Sequence, residues 1–205
     1  MKIRAENISK HYNRNYLFRN LSFEIGQGEC LAVLGANGSG KTTLIKILCA
    51  LQRPASGKIH YENNGTVIKR EDIYAHIGLI SPYLELYDEL TAKENLDFFA
   101  AIKDASENER KEMSKMCSRL KIADKLNVRV KAYSSGMKQR LKYVLALMGA
   151  PEILFVDEPG TNLDEEGINI VYDLLRDYKK TGVLVIATNE KQDLILADKR
   201  LTIDS

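Results

Sequence analysis

The chain has 205 residues, 44% of them hydrophobic and 28% charged, which supplies one good core and excludes a disordered polymer. Thirty basic residues against 28 acidic leave a net charge of +2, too balanced to advertise a nucleic-acid partner. The charged first seven residues argue against a secretory signal, no apolar run is long enough to span a bilayer, and the three cysteines and three histidines are scattered, so the expectation is a cytoplasmic chain without a disulfide, zinc or haem framework.

In chain order, residues 2–9 and 16–25 alternate in hydropathy and predict two strands, with Asn13, Arg14 and Asn15 as the turn between them. The apolar run 30–34 predicts a buried strand. It leads into Gly35, Ala36, Asn37, Gly38, Ser39, Gly40, Lys41 and Thr42, and through Thr43 into a helix with Cys49 on its apolar face. That is the G-x-x-x-x-G-K-[ST] spacing of a phosphate loop. Its glycines let successive amides face inward around phosphate oxygens, and the helix start adds the positive end of its dipole. Nucleotide binding follows, with Lys41 reaching the β and γ phosphates as a point charge and the Thr42 hydroxyl serving Mg²⁺.

Arg53, Pro54, Ala55, Ser56 and Gly57 break the chain before an extended run at 58–61, and Asn63, Asn64 and Gly65 form a turn signal before 66–68. Residues 77–81 predict a buried strand stopped by Pro82. Beyond it, Thr91 with Glu94 reads as a capping box opening a helix that carries Leu96, Phe99, Ala100 and Lys103. Ser106 opens a second, charged helix whose apolar stripe is Met113, Met116, Cys117, Leu120 and Ile122. Residues 88–150 are therefore predominantly helical and read as an inserted subdomain. The α/β alternation resumes with an apolar strand ending in Asp157, a helix from Asp164 or Glu165 to about Lys180, a strand over 183–188, a turn at Asn189, a short helix over 191–197 and a last strand over 200–203. Apolar strands joined by helices predict an α/β chain with a parallel sheet covered on both faces and its ligand at the strands' carboxyl ends.

A strand closing on Asp157 puts a carboxylate beside the Mg²⁺ held by Thr42, and Glu158 follows where a carboxylate can take a proton from water attacking the γ phosphate. A metal-site bystander or a helix-side salt bridge is the other reading of Glu158. The order of these motifs, with Ser134, Ser135, Gly136, Met137, Lys138, Gln139 and Arg140 standing before the strand and Thr161, Asn162, Leu163 and Asp164 after it, resembles the ATP-binding cassette (ABC) family of transporter ATPases over essentially the whole chain. The stretch beginning Ser134 is similar to the family signature L-S-G-G-Q/M-x-Q-R.

The resemblance implies a P-loop NTPase with a mainly parallel sheet, an antiparallel β subdomain and an inserted helical subdomain, forming one cassette over 1–205. Residues 1–87 and 151–205 make the RecA-like core with the β subdomain, and 88–150 the helical subdomain. It further implies two cassettes paired head to tail, most simply a homodimer, with ATP and Mg²⁺ between the phosphate loop of one and Ser134, Ser135 and Gly136 of the other. Residues 161–164 then run along the seam, and Tyr12 stacks on adenine. A separate integral membrane subunit docks on helical segments around 83–87 and 92–99, which holds the cassette at the inner face of the cell membrane. The single-cassette length, without a carboxyl-terminal extension, is similar to the haem-exporter ATP-binding subunit. A nontransport ABC module and a regulatory ATP-binding subunit with negligible turnover stand as alternatives.

Two positions depart from the family pattern. Where the family has a switch Gln, this chain has Ser81 or Pro82, and where it has a switch His, this chain has Asn189, which donates a hydrogen bond but carries no charge. Slow hydrolysis, with Lys41, Glu158 and Asn189 as the reacting group's partners, is the expectation.

Overall fold

The structure is a computed structural model that describes residues 1–13 and 15–203; Arg14, in the expected first turn, lies outside them. The alternating amino-terminal run folds as β1 (Lys2–Tyr12) paired antiparallel with β2 (Asn15–Gly26). After β3 (Cys30–Leu34) and α1 (Lys41–Leu48), β4 (Ser56–Asn63) and β5 (Thr66–Ile68) join that pair in the order β2-β1-β4-β5. Cys49 is the carboxyl cap of α1 rather than a residue of its body, and it is buried.

The second sheet is wholly parallel. β6 (Ile77–Ile80), β7 (Ile153–Asp157), β8 (Val183–Thr188) and β9 (Lys199–Thr202) assemble with β3 in the order β6-β7-β8-β3-β9. Every residue of β7 and β8 is buried, as a strand covered on both faces requires. The period of two divides them. Leu154, Val156, Leu184 and Ile186 pack toward one core, and Ile153, Phe155, Val183 and Val185 toward another that includes Ile3, Ile8 and Phe18 of the antiparallel sheet and Leu44 of α1. Each such side chain contributes roughly 1.5–3 kcal/mol by leaving water. Because Leu34 pairs with Thr188 and Asp157 with Ala187, the carboxyl ends of β3, β7 and β8 finish level, and the loops leaving them share one edge.

Between β6 and β7 lie α2 (Ala92–Ile102), α3 (Glu107–Arg119) and α4 (Ser135–Ala146); α5 (Glu165–Lys179) follows β7. Both Thr91 with Glu94 and Ser106 with Glu109 form complete capping boxes. Leu96, Met113, Cys117 and Leu141 of this helical segment share the core of Leu154 and Val156. No helix of the described residues is long and apolar enough to cross a membrane.

Two expectations need correction. The helix opened by Ser106 ends at Arg119, because Lys121 turns left-handed at φ 55°; Leu120 and Ile122 are buried beyond its end rather than on its stripe. Residues 83–87 are irregular, with a turn only at Tyr83, and not a helix. Buried Asn95 accepts from the Tyr87 amide at 2.9 Å and donates to the Tyr87 carbonyl at 3.0 Å, taking the backbone bonds a helix would have used. The short helix expected over 191–197 is present as a 3₁₀ helix, Lys191–Leu196.

Candidate functional site

The strand-to-helix turn after β3 is built on backbone rather than side chains. Gly40 caps α1 at φ 105°, with no side-chain hydrogen bond to the helix's first amides, so these remain free to meet an anion. A Cβ on Gly40 would lie 2.6 Å from the Leu17 side chain, and Gly38, at φ 84°, faces open space. Lys41 is almost fully buried and folds back over the loop, donating to the carbonyls of Gly35 at 2.9 Å and Ala36 at 3.3 Å. The hydroxyl of Ser39 is buried with no hydrogen-bond partner among the described residues.

Beside the loop, Thr42 Oγ1 donates to Asp157 Oδ2 at 2.7 Å, joining the first turn of α1 to the end of β7. Burial pushes the Asp157 carboxyl above its usual range, against the pull of the Thr42 hydroxyl and of Lys41. Glu158 sits half-buried in the left-handed region at φ 59°, its amide donating to the Ala187 carbonyl at 2.8 Å. Its carboxyl is raised first by burial, with Lys41 opposing and Asp157 adding to the rise. The fixed backbone aims Glu158 into a cavity of about 390 Å³ that Tyr12, Asn37, Gly38, Lys41, Thr42 and Thr43 also line.

Tyr12, distant in sequence, thus meets the phosphate loop; Gln52 Nε2 donates to its hydroxyl at 2.8 Å. Asn189, leaving β8, reaches the loop as well, donating from Nδ2 to Asn37 Oδ1 at 3.2 Å. Ser81 is buried and accepts from the Tyr83 amide at 3.3 Å; it does not line this cavity. Pro82 lines a different hollow together with Ser135, Gln139 and Asn162. Ser134, Ser135 and Gly136 do not line the cavity of their own chain's phosphate loop either. Ser134 caps α4 by accepting from the Met137 amide at 3.2 Å, and a Cβ on Gly136 would come within 3.1 Å of the Asn162 carbonyl, so the helix tip packs closely on the loop after Glu158. Arg140 of the same helix donates to Asp164 Oδ1 at 2.9 Å, and Asp164 in turn caps α5 through the Gly167 amide.

Leu17 and Tyr83 line the cavity without any mark in the sequence that pointed to them. The Tyr83 ring also lies under Lys46 Nζ at 4.5 Å. The arrangement fits a magnesium triphosphate on its own geometry: free helix-start amides, an orphaned hydroxyl, a parked lysine, and a threonine–aspartate pair of the kind that holds Mg²⁺ through few protein oxygens.

A model of the family described as ABC transporter matches residues 18–161. The chain is 32% identical over 99% of its length to the daunorubicin resistance ATP-binding protein DrrA3 of Streptomyces coeruleorubidus, and 32% identical over 91% of its length to the linearmycin resistance ATP-binding protein LnrL of Bacillus subtilis. It spans 65% and 60% of those two proteins. Among solved structures, the ATP-binding cassette MJ0796, in a dimeric post-hydrolysis state bound to ADP and Pi, superposes with a TM-score of 0.86 at 22% identity, covering 98% of this chain and 94% of that one, and so shares its fold. From a phosphate loop, its aspartate partner and a matched family model over most of the chain, the conclusion is that this protein belongs to the ABC transporter family, among its ATP-binding proteins with the P-loop ATPase fold.

Proposed function

We propose that the chain binds and hydrolyses ATP as the energising subunit of an ABC transporter, through ATP-dependent pairing with a second cassette. The observation that carries this is the convergence of Lys41, Thr42, Asp157, Glu158 and Asn189 at the level ends of β3, β7 and β8. The amides of Gly38, Ser39, Gly40, Lys41, Thr42 and Thr43 hold the phosphates, and Tyr12 offers its ring to the base. Thr42 and Asp157 hold Mg²⁺, which neutralises charge on the phosphate oxygens. Lys41 exchanges the carbonyls of Gly35 and Ala36 for phosphate oxygens. Glu158, with its raised carboxyl and fixed backbone, takes the proton of the attacking water, and Asn189 donates to the γ phosphate.

Ser134, Ser135 and Gly136 act on the ATP of a second cassette, most simply another copy. Their absence from the lining of their own phosphate-loop cavity and the dimeric state of the MJ0796 structure support this arrangement. Residues 1–87 and 151–205 serve as the ATPase core and 88–150 as a helical subdomain. The membrane-spanning subunit docks beside Tyr87 and Phe98, two exposed rings in edge contact at 5.0 Å, and keeps the cassette at the cytoplasmic face. The resistance proteins among its relatives support outward transport. Hydrolysis is slow, because Ser81 stands back from the cavity and Asn189 lacks the charge of a histidine.

The test is the Glu158→Gln protein on a sizing column. With Mg²⁺ and ATP it elutes as a dimer and without ATP as a monomer, while its turnover falls at least about 100-fold below wild type. A monomer under both conditions, or unchanged turnover, overturns the proposal.

A further inference from the structure

Asp193 is a buried carboxylate that the proposed chemistry does not use. It is 1% exposed, and hydroxyls occupy both of its oxygens: Tyr172 of α5 donates to Oδ1, and Thr188, the last residue of β8, donates to Oδ2. Thr188 Oγ1 also accepts from the Glu190 amide at 2.9 Å, and the Asp193 amide turns back onto the Glu190 carbonyl at 3.3 Å. The residue enclosed by these bonds is Asn189, with Thr188 on one side and Glu190 on the other. Its side chain is exposed and has left this knot to meet Asn37 in the phosphate loop.

We propose that Asp193 is a positioning residue that holds Asn189 against the nucleotide, and that Tyr172 makes this hold answerable to α5. The inference rests on the reading of Asn189 as a donor to the γ phosphate. Free of the knot, residues 189 and 190 would be an exposed turn with many orientations, and a short neutral amide contributes to a transition state only when its donor is already aimed. Burying a carboxylate is costly unless its hydrogen bonds are met, and two hydroxyls from separate elements meet them here only while both elements stay in register. α5 is capped by Asp164, the residue tied to Arg140 of α4, so the helix joined to the Ser134-bearing element at its amino-terminal cap reaches the Asn189 turn through Tyr172 farther along. Asp193 touches no nucleotide itself and acts only through its neighbours.

The test is a double-mutant cycle on ATP turnover at saturating Mg²⁺ and ATP. Asp193→Ala lowers kcat about ten-fold with KM for ATP changed less than about two-fold, and Tyr172→Phe, which keeps the ring's packing, lowers kcat in the same direction by less. Both effects vanish in an Asn189→Ala background, since there is then nothing left to aim. If either substitution costs as much in that background as in wild type, Asp193 supports the fold rather than Asn189, and the proposal fails. If Asn189→Ala alone leaves kcat unchanged, the role given to Asn189 fails first, and the positioning role with it. The two failures are separately readable.

Discussion

Thr42→Val removes one hydroxyl while keeping the side chain's shape, and it isolates the contact on which the nucleotide site is built. In wild type that hydroxyl donates to Asp157 Oδ2 at 2.7 Å, and Asp157 is 2% exposed, so water cannot replace the lost donor. A hydrogen bond to a charged group contributes roughly 1.5–3 kcal/mol, and the valine methyl recovers only a little by burial, which leaves a loss of about 2 kcal/mol. In a chain of this length that is about 4–8 °C in Tm. Thermal denaturation without nucleotide measures it directly. The same scan with Mg²⁺ and ATP reads a second quantity: ligand stabilisation grows with the logarithm of concentration over Kd, and the variant, without the hydroxyl proposed to meet Mg²⁺, should gain less than wild type does. A variant that melts within about 1 °C of wild type without nucleotide would show that the Thr42–Asp157 bond is not made, and the geometry at the end of β7 would have to be redrawn.

Gly40→Ala puts a Cβ at φ 105° and within 2.6 Å of Leu17, so strain of about 1–3 kcal/mol falls on the helix start; titration with a fluorescent ATP analogue should show affinity reduced about ten-fold or more, and unchanged affinity would mean the loop tolerates the side chain. Asn189→His supplies a charge-assisted donor about 1–2 kcal/mol stronger, and steady-state turnover should rise about ten-fold; no gain would mean that the asparagine geometry has already compensated. Glu94 and Glu109 are held below the usual carboxylate range, Glu94 first by the Thr91 amide and Glu109 first by the Ser106 hydroxyl. A carboxyl lowered on folding adds stability that is complete above its ordinary value of 4.5 and is lost as pH falls through the lower folded value. The double variant Glu94→Gln, Glu109→Gln keeps acceptors in both capping boxes, so denaturation midpoints should fall less steeply below pH 4.5 than in wild type. Equal slopes would remove these two groups as the source.

Much of the fold was legible because its cues are local. β7 and β8 are continuous apolar runs, each capping box is a Thr or Ser with Glu three residues on, and the phosphate loop carries its own spacing. What escaped was decided elsewhere in the chain. The end of α3 was hidden because the apolar spacing continues through Leu120 and Ile122, while the stop lies in the backbone of Lys121. Residues 83–87 are expected to be helical from the family resemblance, yet their irregular course is held by Asn95, eight residues past Tyr87. Within the candidate site, Lys41, Thr42 and Asp157 could be paired from motif order alone. The presence of Leu17 and Tyr83 at the cavity, and of Gln52 on the Tyr12 hydroxyl, depends on how the two sheets stack, which no short motif encodes.

The lysine of the phosphate loop is not waiting extended in water. With its ammonium already stripped of most solvent and resting on Gly35 and Ala36, much of the dehydration and rotamer restriction that an incoming triphosphate would otherwise impose has been met during folding. In the proposed binding mode, capture becomes a swap of oxygen partners over a short path. Such a receptor discriminates by the strength of the oxygens offered, so adenosine or its monophosphate, with too little anionic charge to outbid two carbonyls, would leave the loop closed on itself.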